Sequence, residues 1–440
     1  MRFSGRLSGH AAPEVIERVD SAELRVVRGS TASAIAMGHC FASRPALEEC
    51  LRDFVSTGSA KCFSGWPGCY SVAVLQPRCV TLIADPVGQF PLYLARVGAD
   101  VMFGSSAAAL AAIVHAIPDQ ITLLATLTCP EAHGLLGTRS VFDGIERLPE
   151  GHVARLANGR VDVEPCLEFQ ADSRISFADA AAILRLSLTR AVDSRVTSAK
   201  SLTADLSGGI DSTSLAFLAR RKSARLPVFT YVNNNRPVVD DVDQAVRAVK
   251  LDTGLDHHLV AGSDDDLPYR SIDVVDDEPH SSAVATGSMK ARLNAAAKLG
   301  SDLHLVGEGG DVVLTAPAAY LADLKGQRLW RHCLGWARMR NRSPLAVLAR
   351  TRAVSGQNLR EAFADLADGI ARGRAPGELS WEEDNIGYWT VPRADWLTGP
   401  ARRTLAEYVH GHAAGLGETD GKPVGDFVTS ARLRSQARTQ

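Results

Sequence analysis

The chain has no apolar run approaching the roughly 20 residues that a membrane-spanning helix needs. Its first stretch, MRFSGRLSGH, has no apolar segment behind the basic residues, so a secretory signal is not expected. Neither charge is in excess: 48 Lys and Arg stand against 50 Asp and Glu, a formal net charge of -2. Without a long-range electrostatic pull, a dedicated binder of nucleic acid or of membrane surfaces is not expected. The eight cysteines (Cys40, Cys50, Cys62, Cys69, Cys79, Cys129, Cys166 and Cys333) contain no CxxC pair and no metal-ligand spacing. They are expected to be reduced core or surface thiols of a cytoplasmic protein. His257 with His258, and His410 with His412, lack a Cys or Glu partner at ligand spacing, so they read as structural or surface histidines. No internal repeat or long low-complexity segment is visible. What is there is ordinary for a soluble globular protein: 440 residues, 45% hydrophobic and 22% charged, enough for two domains or three.

To about Gln170 the chain reads as β-rich with helical insertions. CYSVAVLQ, CVTLIADP, PLYLARV and DVMFGSS are short runs with branched or aromatic residues, bounded by turn residues. Ala107–His115 predicts a short helix, and Asn158-Gly159 a hairpin turn between two strands. A boundary falls near 171–176, in the polar ADSRIS. Ser176 with Asp179 resembles a capping box, opening a helix to about Val196. Strands and helices then alternate: strands at 201–206, 227–232, 257–260 and 303–306, helices at 212–221, 242–252 and 289–298. That alternation predicts a parallel sheet with helices on both faces, and ligands bind such sheets beyond the carboxyl ends of the strands. From Ala316 onward the reading is mostly helical. Trp330, Trp336 and Leu329 read as helix packing.

Ser207-Gly208-Gly209-Ile210-Asp211-Ser212 follows a predicted strand and opens a predicted helix. Two glycines allow a tight turn and close approach of backbone to an anion. The helix start then offers free N–H groups to phosphate oxygens. Ser207 and Ser212 add hydroxyls, and Asp211 suits a Mg2+ ion facing the phosphates. This is not the GxxxxGK[ST] loop, whose spacing and lysine are missing. It matches the SGGxDS pyrophosphate loop of enzymes that break ATP between its α and β phosphates. Gly307-Glu308-Gly309-Gly310-Asp311 repeats the strand-then-glycine arrangement with two carboxylates. Asp311 is expected to share the metal with Asp211, and Glu308 to face the α-phosphate or the incoming amine. The acidic runs Asp240, Asp241, Asp243 and Asp264–Asp266 read instead as solvated loops or helix starts.

With these two loops the chain resembles the asparagine synthetase family, which includes β-lactam synthetases and lasso peptide cyclases. AVRAVKLDTGLDHH and DDEPHSS fall where that family has a helix and an acidic-proline segment between the loops. FTYV resembles the strand whose end touches adenine, implying Val232 and the backbone of Gly307 near the base. GCYSVAVL, ADPVGQFPLYLA, VMFGSSAAAL and FDGIERLPEGH resemble its amidotransferase-type domain. The implied fold is α/β: a degenerate Ntn-hydrolase-like αββα sandwich over 1–170, then a parallel-sheet adenine-nucleotide-binding (PP-loop) domain with a helical C-terminal region over 171–440. The implied cofactors are ATP and Mg2+, with Asp211 and Asp311 on the metal and Glu308 as base or orienting group.

Glutamine-dependent members begin Met-Cys and use the freed α-amine as base. Here Met1 is followed by Arg2 and Phe3, so glutamine hydrolysis is not expected and the first domain reads as structural. The stretch from Gly300 to Arg350, with ELSW and ADWLTGPARRTLAE, resembles lasso peptide cyclases most. That resemblance implies adenylation of an Asp or Glu side chain of a precursor peptide and macrolactam closure by the peptide's N-terminal amine. A leader protease and a leader-recognition protein are the implied partners. Two other readings stand beside it: an asparagine- or β-lactam-synthetase-type enzyme on a small amino acid, and a shortened, non-catalytic homologue acting as a binding partner. The family carries a further helical stretch with a lysine in a KxxLR-like context. SARLRSQARTQ resembles only its start, and Lys422, in GKPVGDF, does not match.

Overall fold

The computed structural model describes residues 3–8, 13–18, 24–132, 134–167, 174–232, 239–270, 277–279, 286–373, 380–390, 392–416, 424–425 and 427–431. Met1, Arg2, Lys422, the side chain of Asp240 and the run after Ala431 lie outside them.

The chain opens with β1 (Phe3–Ser8), β2 (Glu14–Arg18), β3 (Leu24–Arg28), β4 (Ser33–Cys40) and helix α1 (Arg44–Thr57). Then come β5 (Gly68–Gln76), β6 (Cys79–Ile83), β7 (Tyr93–Val97), β8 (Asp100–Gly104), α2 (Ala107–Val114) and α3 (Gln120–Thr128). β9 (Ile145–Arg147), β10 (His152–Ala157) and β11 (Arg160–Pro165) finish this half. Two antiparallel sheets form, in the orders β2-β1-β8-β7-β9 and β11-β10-β6-β5-β4-β3.

Side-chain alternation stacks the sheets, because residues two apart in a strand share a face. Phe3, Leu7 and Phe103 of one sheet meet Met37, Leu82 and Ala154 of the other in a shared buried cluster. The outward residues Ala36, Val72 and Ile83 pack under Leu47, Leu51 and Phe54 of α1. Tyr93, Met102 and Ile145 pack under Leu110 of α2. The layers therefore run helix, sheet, sheet, helix, the expected αββα sandwich. Each fully buried Leu or Phe adds about 1.5–3 kcal/mol of transfer free energy. The β10–β11 hairpin turns at Asn158 (φ 52°) and Gly159 (φ 72°), the two left-handed residues its sequence predicts.

One expectation is corrected here. Cys50 and Cys62 form a disulfide, with Cα atoms 5.8 Å apart. The turn at 61–64 folds back beneath α1 and brings its cysteine within bonding reach, which spacing alone does not show. The cysteines thus give no support to a reducing compartment. Among the described residues no helix is long and apolar enough to cross a membrane.

Helix α4 (Phe177–Ser198) links the halves. Ser176 caps it, its hydroxyl accepting from Asp179 N–H at 3.1 Å and donating to the Asp179 carboxylate at 2.7 Å. Next come β12 (Leu202–Asp205), α5 (Ile210–Arg220), β13 (Leu226–Val232), α6 (Val239–Leu251), β14 (Leu255–Ala261), α7 (Thr286–Lys298), β15 (Leu303–Leu305) and α8 (Gly310–Leu314). The four strands are parallel, in the order β14-β13-β12-β15. Strand order reverses at β12, and such a switch point opens a crevice above the strand ends.

The rest is helical: α9 (Gly326–Arg340), α10 (Pro344–Ser355), α11 (Leu359–Arg372), α12 (Trp381–Asn385) and α13 (Gly399–Gly415). Ala125, Cys129 and Leu135, from the first half of the sequence, pack against Leu366, Ile370 and Leu405 of α11 and α13. The segment around α3 therefore shares a core with the C-terminal helices. Trp336 stacks on Trp381 at 5.4 Å, as packing predicts, whereas Trp330 is 39% exposed.

Candidate active site

β12 and β15 are hydrogen-bonded neighbours, so the loops that follow them leave the same edge of the sheet side by side. In the first loop Gly208 takes φ 84°, and a β-carbon there would come within 2.2 Å of the Asp241 carbonyl oxygen of α6. Only glycine fits both the conformation and the space. Ser212 is 5% exposed; its Oγ accepts from Ser207 N–H at 3.0 Å and bonds Ser207 Oγ at 2.7 Å. The Ser212 hydroxyl thus braces the loop, and the exposed Ser207 is the one presented to solvent. Gly209 is the N-cap of α5, and the helix's first internal bond is Thr213 N–H to Gly209 C=O at 3.3 Å. The amides before Thr213 precede that bond, which is the arrangement that receives phosphate at a helix start.

The second loop closes onto the first. A β-carbon at Gly307 would lie 2.6 Å from Ser212 N, and one at Gly310 would lie 2.3 Å from Asp211 Oδ2. Gly309, at φ 89°, turns the chain into α8, so Asp311 sits in the first turn of that helix. The structure therefore brings together Ser207, Gly208, Gly209, Asp211, Ser212, Gly307 and the Glu308–Asp311 loop. Val232 ends β13 on the same sheet edge, its carbonyl accepting from Gly262 N–H at 2.7 Å.

Sequence reasoning missed the groups beneath these loops. Asp205, 3% exposed at the end of β12, is ion-paired to Arg292 of α7 and lies 3.0 Å from His304 Nε2. Thr203 Oγ1 meets His304 Nδ1 at 2.7 Å. Arg292 also reaches Glu308 Oε1 at 3.5 Å. A buried carboxylate requires such partners, and Asp205 at the end of the apolar run SLTADL is the sequence signal that predicts one.

The acidic-proline segment ties the two halves together. The Asp277 carboxylate accepts from Ser106 Oγ at 2.8 Å, Ala107 N–H at 3.1 Å and Ala108 N–H at 3.0 Å, at the start of α2. Glu278 accepts from the Tyr93 hydroxyl at 3.2 Å and lies 3.6 Å from the buried Arg147. Burial, reinforced by Glu278, pushes the Tyr93 hydroxyl pKa upward. Asp264–Asp266 form a short turn in which Asp266 closes a capping box with Ser263, a structural role.

The residues fit the implied nucleotide and metal. Asp211 meets the Gly310 backbone and Asp311 follows in the first turn of α8, so two hard oxygen donors belong to the paired glycine loops. Among the described residues no group of three or more His, Cys, Asp or Glu gathers as a metal cage. Magnesium bound with substrate phosphates needs no such cage, since one or two carboxylates suffice.

A parallel sheet with two such loops at its switch point, behind an αββα sandwich, defines a nucleotide-dependent ligase joined to an amidotransferase-type domain. Residues 184–414 match the asparagine synthase family and residues 31–166 the glutamine amidotransferase domain. The chain belongs to the asparagine synthase family, and it is an ATP-dependent ligase that forms AMP and pyrophosphate. Among solved structures it is similar to glutamine phosphoribosylpyrophosphate amidotransferase from B. subtilis complexed with ADP and GMP. That likeness has 11% identity over 69% of this chain and 84% of the other, with a TM-score of 0.25. A structure described as the allosteric regulatory enzyme of purine biosynthesis is equally remote: 10% identity, 69% and 83% coverage, TM-score 0.26. The comparison with curated proteins finds no match.

Proposed function

We propose that the enzyme adenylates an Asp or Glu side chain of a peptide and closes a macrolactam with the peptide's N-terminal amine, as lasso peptide cyclases do. The observation that carries the adenylation half is the meeting of Asp211 with the Gly310 backbone, which joins two loops into one crevice. Asp211 and Asp311 are the residues to hold Mg2+, which when bound neutralises phosphate charge as the carboxylate approaches the α-phosphorus. The amides at the start of α5 and the exposed Ser207 hydroxyl receive the departing pyrophosphate, while Ser212 braces the Gly208–Gly209 turn. Val232 and Gly307 flank the adenine. Glu308, oriented by Arg292, takes the proton from the attacking amine.

Two features favour a peptide amine over ammonia from glutamine. Cys40, the first cysteine in the chain, is buried within β4, and burial pushes its thiol pKa up. It is therefore a poor nucleophile, and the sandwich supplies no activated thiol there. The resemblance of 300–350 and of ADWLTGPARRTLAE to lasso cyclases supplies the second support. The test is incubation with ATP, Mg2+ and peptides carrying an internal Asp or Glu and a free N-terminus. Pyrophosphate release, with a product lighter by one water, supports the reading. Pyrophosphate release with free aspartate and an amine donor, and none with peptides, overturns it in favour of a small-substrate synthetase. Precursor peptide, leader protease and leader-recognition protein are the partners this reading calls for.

A further inference from the structure

From Lys325 to Arg360 the chain contains no Asp or Glu, in a protein whose charges otherwise balance. Most of the cations in this stretch lie on α9 and at its ends. Arg328, Arg331 and Arg338 are exposed and share one face of the helix, at i, i+3 and i+10, with Gly335 between them. Among the described residues none of these three arginines makes an ion pair, nor do the exposed Lys325 and Arg342. The first turn of α9 has no acidic residue, and cations there are opposed by the helix dipole. Lys325 and Arg328, at the helix start, therefore do not serve the stability of α9, whereas Arg338 in its last turn is favoured by the dipole.

An open surface depression of about 290 Å³ lies beside Gly335, lined by Tyr320, Arg331, His332, Trp336 and Met339. A β-carbon on Gly335 would meet nothing within 4 Å, so the glycine leaves the mouth open. The lining is fixed from below. Tyr320 OH bonds His332 Nδ1 at 2.8 Å and accepts from Trp336 Nε1 at 3.1 Å. Arg340 lies 5.8 Å from both the Trp336 and Trp381 rings. The result is a socket of rings and a thioether inside a cationic rim.

We propose that this face of α9 is a docking surface for an acidic polypeptide segment that seats one apolar side chain in the depression beside Gly335. The charge is complementary to Asp and Glu, and recognition of acidic motifs by arginine clusters is a recurring mode. An open depression lined by half-buried rings and the exposed Met339 takes a single apolar anchor. Nucleic-acid bases need exposed stacking platforms along a charged track, and here the Tyr320, His332 and Trp336 rings are half-buried. None of the residues lining this surface belongs to the two glycine loops.

The test is a fluorescence-anisotropy titration of the full chain with a short fluorescein-labelled peptide of glutamates around one central phenylalanine. Saturable binding is expected, weakening as ionic strength rises to about 0.15 M, where screening extends only ~8 Å. The double substitution Arg331→Glu, Arg338→Glu is at exposed positions and is expected to weaken binding about tenfold or more. Gly335→Leu fills the socket without changing charge. It is expected to weaken the phenylalanine peptide but not the same peptide with glycine at the centre. Absence of saturable binding overturns the proposal, as does binding that neither substitution changes. An oligothymidylate of equal charge that binds more tightly than the peptide and ignores Gly335→Leu also overturns it, marking the face as a nucleic-acid track.

Discussion

Gly310 lies so close to Asp211 that a β-carbon on the glycine would come within 2.3 Å of the aspartate Oδ2. The contact joins a loop that follows β12 to a loop that follows β15. Gly310→Ala places a methyl group there. Gly310 begins α8 and is not among the glycines with positive φ, so alanine suits its backbone. The expected outcome is a melting temperature within a few degrees of the parent and pyrophosphate formation lower by about a hundredfold, the effect of a carboxylate displaced by about 1 Å. Calorimetry and a pyrophosphate assay on one preparation check it.

Arg292 holds two acids at once, the buried Asp205 and the exposed Glu308. Arg292→Ala leaves Asp205 buried with His304 as its remaining hydrogen-bond partner, and breaking a buried pair costs about 3–5 kcal/mol. Chemical denaturation is expected to show a loss of that order. Glu308→Gln, at an exposed position, is expected to leave stability within about 0.5 kcal/mol of the parent while lowering turnover.

Asp277 caps a helix in the other half of the molecule. Asp277→Ala is expected to destabilise that junction by about 1 kcal/mol, the usual worth of a cap. Faster hydrogen exchange at Ala107 and Ala108, with unchanged exchange in α11, identifies the loss as local.

His257 meets Thr230 Oγ1 at 2.7 Å, and burial lowers its pKa from 6.5, with neighbouring His258 adding to the effect. His412 is lowered by burial as well. For both, the unfolded chain binds the proton more readily than the folded one. Stability is therefore fully present above about pH 6.5 and declines as pH falls below it, levelling once the folded pKa is passed. His257→Gln is expected to flatten part of that decline in denaturation midpoints measured across the range.

The layers of the fold were readable because alternation and turn chemistry are local. Asn158-Gly159 set a hairpin and Ser176 set a helix start, each by short-range hydrogen bonding. Both glycine loops were readable because strand, glycine and carboxylate appear in one short window. What escaped was formed by distant residues meeting. The Cys50–Cys62 bond depends on how a turn folds back beneath α1. Arg292, Asp205 and His304 come from a helix and two strands, and no spacing rule joins them. α3 reads as part of the first half, yet its apolar face finds its partners on α11 and α13.

Calorimetric titration of ATP into Asp211→Asn, Asp311→Asn and the double variant, with and without Mg2+, shows whether Asp211 and Asp311 serve one magnesium–nucleotide site. Each single variant is expected to weaken magnesium-dependent binding about tenfold or more, the double variant to bind no more weakly than the worse single one, and the differences to vanish without the metal. Independent, additive losses from the two substitutions, or a single variant that binds as the parent does, would contradict a shared site.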